Sequence, residues 1–358
     1  MGVQFTKRAI STYSILNAKK KIIVTGGLGY IGSHTVVELI ASGYEIVIAD
    51  NLSNSDLDVL DKINEVTSGD KPKLEALDLT DAEKTFSFFQ QHKNAKGVIN
   101  FAALKAVGES VQKPILYYKN NLSILLNILE NMEQFEMNNL IFSSSATVYG
   151  LPEHLPVNES SSSKRPTSPY GNTKKIGEEI IEDFAFNNTA FKSISLRYFN
   201  PIGAHPSGKL GERPNGIPNN LMPFITQTVS GKRKELKVFG NDYNTPDGTA
   251  IRDYLHVVDL AKAHLLALER LLANKNDTNY EVFNLGTGIG YSVLDVIKSF
   301  EKTTKKKVNY SFVDRRVGDV PILYTDPSKA RDVLNWKPKY TIDDMTHSSW
   351  NFQKSEEI

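Results

Sequence analysis

Cysteine is absent from all 358 residues. That excludes a disulfide framework, a thiolate nucleophile and a cysteine zinc site, and it fits a reducing, cytoplasmic setting. The seven histidines are scattered and show no HExxH spacing, so no protein-bound catalytic metal is expected. Charge of one sign is also lacking: the formal net charge is +1, with Lys and Arg spread along the chain. Neither nucleic acid nor an anionic membrane surface is implied as a partner. No apolar run approaches the ~20 residues that a membrane-spanning helix needs, and no internal repeat is present. Acids are missing from the start of the chain, where Lys7, Arg8, Lys19, Lys20 and Lys21 all precede the first carboxylate, Glu38. Such a composition can mark an organelle-targeting segment. The simpler reading, preferred here, is a solvated extension over residues 1–20.

What is present begins with a short β-branched run, Lys21 to Val24, of the kind that fills a parallel sheet buried on both faces. A turn with Gly26, Gly29 and Gly32 follows it. Glycines at this spacing allow a sharp turn and a close approach of backbone to a pyrophosphate, and they let the next helix pack tightly while its N-terminal N–H groups face the phosphates. A glycine triplet alone is weak evidence, since an ordinary glycine-rich turn reads the same way. Its context is stronger. A helical pattern through Ile31, Val36, Val37, Leu39 and Ile40 stops at Gly43, and a second buried run, Glu45 to Ala49, closes on Asp50. An acid about 20 residues past the glycines suits a ribose hydroxyl pair and repels a 2′-phosphate, which favours NAD over NADP.

Helix and strand patterns then alternate, as in a doubly wound α/β fold. Helices are expected over Leu57–Val66, Asp81–His92, from Pro114 onward, and over Tyr170–Phe186 behind a Ser168-Pro169 cap. Strands are expected over Leu74–Leu79, Gly97–Ala103, Asn139–Ser145 and Ile194–Tyr198. Residues 21–200 therefore read as a six-strand Rossmann-type dinucleotide-binding domain. Beyond it the alternation loosens. Residues 201–358 read mainly as a smaller α/β lobe, either self-contained or returning elements to the first domain, with strands at Leu236–Phe239, Tyr254–Val258, Glu281–Leu285 and Val308–Val313 and helices at Leu221–Val229, Asp259–Leu272 and Val293–Phe300.

The chemistry gathers on Tyr170 and Lys174, four apart and so on one face of a helix. A phenol of reference pKa ~10 becomes a base near neutrality if its phenolate is stabilised by about 4 kcal/mol. One ammonium at about 4 Å supplies that order of energy at an effective dielectric near 20. The Ser143-Ser144-Ser145 run ends a strand at the same crevice, because ligands of open α/β sheets sit at the carboxyl ends of strands. Cradle, acid, serine and YxxxK, in that order, describe hydride chemistry on an alcohol.

Longer stretches carry a resemblance: Thr25-Gly26-Gly27-Leu28-Gly29-Tyr30-Ile31-Gly32-Ser33-His34-Thr35, Leu104-Lys105-Ala106-Val107-Gly108-Glu109-Ser110, Phe142 to Gly150, Arg197 to Gly208, and Gly216 to Leu221. From about Lys21 to about Trp350 the sequence resembles the UDP-glucose 4-epimerase family of extended short-chain dehydrogenases/reductases. The resemblance implies interconversion of UDP-galactose and UDP-glucose through a 4-keto intermediate, with NAD held tightly and Tyr170, Lys174 and Ser145 as the catalytic set. By motif position it implies that Gly26, Gly29, Tyr30, Ile31, Gly32, Asp50, Asn51, Asn54, Asp78, Leu79, Phe101, Ala102, Lys105, Asn120, Ser143 and Tyr198, with Tyr170 and Lys174, contact NAD. Asn200, Asn220, Leu221, Phe239, Arg252, Tyr254, Arg316, Asp319 and Leu323, with Ser145 and Tyr170, would hold the UDP-sugar, two guanidinium forks suiting a pyrophosphate. Read without the resemblance, Arg252 and Arg316 are surface cations paired with Asp253 and Asp314. A homodimer through helices of the first domain is also implied, with the leucine-rich face after Pro114 as either that surface or core. Two residues depart from the family pattern: Ala103 stands where glycine is usual, and Leu323 stands at the position that gates the sugar's 2-substituent. A nucleotide-sugar 4,6-dehydratase or decarboxylase of the same family, or a non-catalytic NAD-binding protein, is the alternative.

Overall fold

The computed structural model describes residues 19–162, 164–316 and 318–357. The extension expected over residues 1–20 therefore lies almost wholly outside the described residues. In chain order the elements are β1 Lys21–Thr25, α1 Tyr30–Ala41, β2 Glu45–Asp50, α2 Asp58–Val66, β3 Lys73–Ala76, α3 Ala82–Gln91, β4 Gly97–Asn100, α4 Val107–Gln112, α5 Pro114–Gln134, β5 Asn139–Ser145, α6 Pro169–Asn187 and β6 Lys192–Tyr198. They continue as β7 Asn200–Ile202, α7 Leu221–Val229, β8 Leu236–Phe239, β9 Ile251–His256, α8 Val257–Leu272, β10 Tyr280–Leu285, β11 Gly290–Ser292, α9 Val293–Thr304, β12 Tyr310–Val313, β13 Ile322–Leu323, α10 Ser328–Val333 and α11 Ile342–Ser355.

The main sheet is a seven-stranded parallel sheet in the order β10-β6-β5-β4-β1-β2-β3. Alternation along β1 divides the core. Ile22 and Val24 face one side with Leu39, Leu255, Leu268 and Trp336, while Ile23 faces the other with Phe89, Ile128, Phe142 and Ile181. Both sides are covered by helices, as a parallel sheet requires. The seventh strand, β10, comes from the sequence of the second lobe and pairs with β6 from Tyr280↔Ser193 to Leu285↔Tyr198. The run Glu281–Leu285 announces a strand in the sequence, but nothing in it says which sheet edge it joins. Helix α8 likewise follows a second-lobe strand and packs on the first sheet beside α1.

The second lobe is a small mixed sheet in which β9 pairs with β7, β11 and β13, together with a two-stranded parallel pair, β8 and β12. Met222, Ile225, Val238, Tyr254, Phe300 and Met345 form its core. Helix α11 opens on a capping box, Thr341 with Asp344, a signal that the sequence reading passed over.

Three histidines are buried where the lobes meet, and burial pushes their pKa values down: His34 and His264 to about 4, His256 to about 3. The His34 Nε2 has no hydrogen-bond partner among the described residues. His256 stacks on Tyr340 at a centroid distance of 4.1 Å. Each folded-state value lies below the unfolded value near 6.5, so the unfolded chain binds more protons in between, and stability present above ~6.5 is lost as pH falls toward ~4. Denaturant titrations are expected to show stability falling by up to about 4 kcal/mol per pH unit across that window, from three protons. A curve flat from pH 7 to pH 4.5 contradicts it.

Candidate active site

The cleft lies at the carboxyl ends of β1, β4, β5 and β6, beside the switch point where strand order reverses between β1 and β4. Two glycines shape its floor. Gly26 has φ +67°, and a Cβ there would stand 2.8 Å from the Ala102 backbone nitrogen; a Cβ on Gly32 would stand 2.3 Å from the Gly26 carbonyl. Gly29 caps α1 without any side-chain hydrogen bond, and the first turn carries no acid. The N–H groups of Tyr30, Ile31 and Gly32 are thus left to an anion in the cleft. Asp50 is buried and binds the rim together, its carboxylate accepting from Leu28 N at 3.0 Å, Leu52 N at 2.9 Å and Ser55 Oγ at 2.9 Å.

Every residue expected to contact a dinucleotide except Asp78 lines this cleft: Gly26, Gly29, Tyr30, Ile31, Gly32, Asp50, Asn51, Asn54, Leu79, Phe101, Ala102, Lys105, Asn120, Ser143, Tyr170, Lys174 and Tyr198. Ala103 lines it too. Asp78 is exposed, and its carboxylate takes the Thr80 N–H and hydroxyl at 2.9 and 2.8 Å. The Tyr30 phenol points away from the glycine turn and donates to the Gly203 carbonyl at 2.6 Å.

Helix α6 starts at Pro169 with the Ser168 hydroxyl accepting from Gly171 N. This cap sets Tyr170 and Lys174 over the end of β5. The Ser145 hydroxyl nearby favours the ionised form of the Tyr170 phenol, but burial is the larger effect and holds the phenol up to about 12. The expected depression by the Lys174 ammonium is therefore not what this geometry gives. The Lys174 Nζ is buried, donates to the Ser143 carbonyl at 2.6 Å and lies 4.9 Å from the Phe142 ring centre. Burial pushes it down to about 8, with the Glu178 carboxylate opposing. In so dry a pocket, a phenolate needs more positive charge than one lysine provides.

Three further polar residues, His264, Glu178 and Arg197, have no role in the sequence analysis. Tyr198 bonds His264 Nε2 at 2.5 Å, and His264 in turn bonds the Leu260 carbonyl. Glu178, four residues past Lys174 and so legible from helical spacing, meets Arg197 in a two-pronged ion pair at 2.6 and 2.9 Å.

The chain was compared with known proteins. The sequence family described as GDP-mannose 4,6 dehydratase matches residues 23–348. The UDP-glucose 4-epimerase of Bacillus subtilis (strain 168) is 51% identical over 334 residues, which is 93% of this chain and 97% of that one. The mouse (Mus musculus) UDP-glucose 4-epimerase is 48% identical over 341 residues, 94% of this chain and 97% of its own. A crystal structure of UDP-glucose 4-epimerase from Bifidobacterium longum, in complex with NAD+ and UDP, superposes with a TM-score of 0.91 at 45% identity, covering 94% of this chain and 99% of that one. The chain belongs to the UDP-glucose 4-epimerase family.

Strand β9 organises several of the residues expected to hold the UDP-sugar. Register pairs Asn200 with Tyr254 and Arg252 with Leu323. Arg252 and Arg316 do not pair with Asp253 and Asp314. Both reach Asp319, at 3.4 and 2.8 Å, because the Asp253 carboxylate already accepts from Thr287 and Gly288. The Arg316 guanidinium lies 6.0 Å from the ring centre of Phe239, which is 43% exposed. Asn220 precedes Leu221 at the start of α7 and donates to Glu212 at 2.5 Å. Leu323 is buried against Ala146, Val148, Tyr149 and Phe199. Of the residues expected to hold the UDP-sugar, Tyr170 lines the glycine-floored cleft and the others, Ser145 included, do not. Gly32→Ala is expected to cost about 2 kcal/mol, read as a melting temperature lower by several degrees, since its methyl group meets backbone. An unchanged melting temperature rejects the close packing.

Proposed function

We propose that this chain interconverts UDP-galactose and UDP-glucose by oxidising and re-reducing the sugar at C4, with a retained NAD. The observation that carries the reading is the meeting of Tyr170, Ser145 and Lys174 at the end of a glycine-floored cleft, followed by Ala146 and Thr147 rather than an acid. A 4,6-dehydratase needs an acid there to drive elimination.

The cleft fits the cofactor: a Cβ would fill its floor, and three helix N–H groups face it. Gly26, Gly29, Tyr30, Ile31 and Gly32 would hold the pyrophosphate through backbone, and Asp50, Asn51, Asn54 and Leu79 the adenosine half, Asp78 being turned aside to Thr80. Phe101, Ala102, Lys105, Asn120, Ser143, Lys174 and Tyr198 would line the nicotinamide half. A bound NAD would supply hydride acceptance from the sugar's C4 and hydride return to its opposite face. Tyr170 removes the 4-hydroxyl proton through its phenolic oxygen and later gives it back, and Ser145 holds the same oxygen. Lys174, anchored on the Ser143 carbonyl, fixes the helix turn that carries Tyr170 and adds positive charge. Asn200, Asn220, Leu221, Phe239, Arg252, Tyr254, Arg316, Asp319 and Leu323 bind the UDP-sugar, with the two arginines on the diphosphate.

The reading includes a homodimer. On α5 the apolar face divides: Leu125 and Leu129 are core, whereas Ile115 is 65%, Leu116 46% and Leu126 44% exposed. It also includes a cytoplasmic setting, which a chain without cysteine fits. Among the described residues no helix is long and apolar enough to cross a membrane.

Purified protein given UDP-galactose without added cofactor is expected to form UDP-glucose, identified by chromatography against standards. Protein that carries no dinucleotide, and leaves UDP-galactose untouched when supplied with NAD, overturns the proposal. Tyr170→Phe is expected to keep its dinucleotide and lose about 10²- to 10⁴-fold in kcat. Full turnover by that variant would remove Tyr170 from the acid–base role.

A further inference from the structure

Behind the reacting pair lies a buried polar network that the chemistry above does not use. Ser144 and Arg197 are register partners on β5 and β6. The Ser144 hydroxyl donates to Glu178, and Arg197 binds both Glu178 oxygens, Nε to Oε1 at 2.9 Å and Nη2 to Oε2 at 2.6 Å. Arg197 Nη1 then donates to the Tyr149 hydroxyl at 2.9 Å, which donates to Asn284 Oδ1 on β10 at 2.7 Å. The two charged side chains are only 9% and 11% exposed. A buried ion pair gives little net stability, because desolvation of both ions offsets their attraction, and apolar residues of equal volume often serve the fold better. This one joins α6, the helix of Tyr170 and Lys174, to β6, and through the Ser144 hydroxyl on Glu178 also to β5, the strand of Ser143 and Ser145.

The geometry points to Glu178 and Arg197 as positioning residues for the reaction: through Ser144 they lock the serine strand end against α6, and as a balanced pair they set the charge felt by Lys174. This rests on the reading of Tyr170 and Lys174 as the reacting pair. Three adjacent serines then have separate tasks. The Ser143 carbonyl holds Lys174, the Ser145 hydroxyl meets Tyr170, and Ser144, pointing to the opposite face of the strand, anchors both neighbours to α6. Glu178 stands one helical turn beyond Lys174 and supports its ammonium form against burial. The other ionisable groups facing this region are Tyr170 and Glu182 on α6, Arg197 and Tyr198 on β6, Tyr149 after β5, Glu159, whose carboxylate faces Tyr149 and Arg197 from farther off, Tyr280 on β10, and Tyr117 of α5, which faces Tyr170. Among them only Arg197 is a permanent cation, and Glu178 is its counter-ion.

Charge balance makes the test directional. Glu178→Gln leaves the Arg197 cation unopposed and moves the Lys174 titration down; Arg197→Met leaves the Glu178 anion and moves it up; the double variant returns it near the parent. The readout is the Nζ resonance of Lys174 in ¹⁵N-lysine-labelled holoenzyme, assigned by its loss in Lys174→Arg, and it is independent of turnover. Opposite shifts of about one pH unit, a tenfold change in the protonation equilibrium, and restoration in the double variant are expected. The alkaline limb of kcat for UDP-galactose is expected to move with them. A purely structural pair lowers melting temperature in all three variants and leaves the Lys174 titration within about 0.2 pH unit, which overturns the charge-setting role. Ser144→Ala keeps the ion pair and removes only the tether. It is expected to lower kcat about tenfold with KM within about twofold, and unchanged kcat overturns the positioning role even if the charge variants fail to fold. Parent enzyme that does not turn over UDP-galactose fails the functional reading instead, and the resonance shifts still decide the network.

Discussion

The hydrogen bond from the Lys174 ammonium to the Ser143 carbonyl at 2.6 Å ties helix α6 to the end of strand β5 beside Tyr170, and the geometry of that pair depends on it. An ammonium taken out of water is costly unless its donors are met. Here a strand-end carbonyl, an aromatic face and a carboxylate one turn away meet it. The helix can come this close because residue 177 is glycine: a Cβ there would stand 2.9 Å from the Phe142 ring. The lysine therefore sets position first and charge second. Its burial leaves it close to losing its proton, and that makes the ion pair behind it matter.

The cleft follows from the order of the strands. Where β1 lies between β2 and β4, the connections leave in opposite directions and open a crevice at the strand ends. The glycine turn keeps the backbone of Phe101 and Ala102 close beneath Gly26, so nothing projects into the space. Chain from the second lobe closes the arrangement. β10 extends the sheet beside β6, and α8 brings His264 under Tyr198. The strand ends beneath the cleft are therefore held by one seven-stranded sheet and its helices, while the second-lobe residues stand on β9 in a sheet of their own.

Much of this was legible in sequence, and the boundary of legibility has physical causes. Periodicity and caps placed β1, α1, α5 behind Pro114 and α6 behind Ser168-Pro169, because each depends on neighbours in the chain. Strand partnership does not, so the position of β10 and the short strands β7, β11 and β13 went unread. The cleft lining was legible residue by residue from motifs, with Asp78 turned aside by Thr80. The direction of the Tyr170 side-chain equilibrium was not, because spacing on a helix counts nearby charge and not the loss of water. The Tyr30 phenol, turned toward Gly203, is a similar case. A motif names the residue and leaves open whether backbone or side chain acts.

The same distinction explains Arg252 and Arg316. Beside acids in sequence, each reads as a locally neutralised cation, yet both lean on Asp319, two positive charges sharing one negative. A single carboxylate holds both guanidinium groups in place and leaves one unit of positive charge over. The arrangement differs from two independent surface pairs in a way that matters for binding. The rotamer entropy of two long side chains is already lost before a ligand arrives, so less of the binding energy goes to ordering them. Phe239 beneath Arg316 restricts it further. On the proposed reading a diphosphate would offer more charge than Asp319 and a spacing that two forks can grip together, with the carboxylate keeping the forks aimed until it arrives. The nucleotide side thus uses the same device as the reactive side, where Glu178 holds Arg197: a buried or half-buried acid whose main effect is to fix where a cation points.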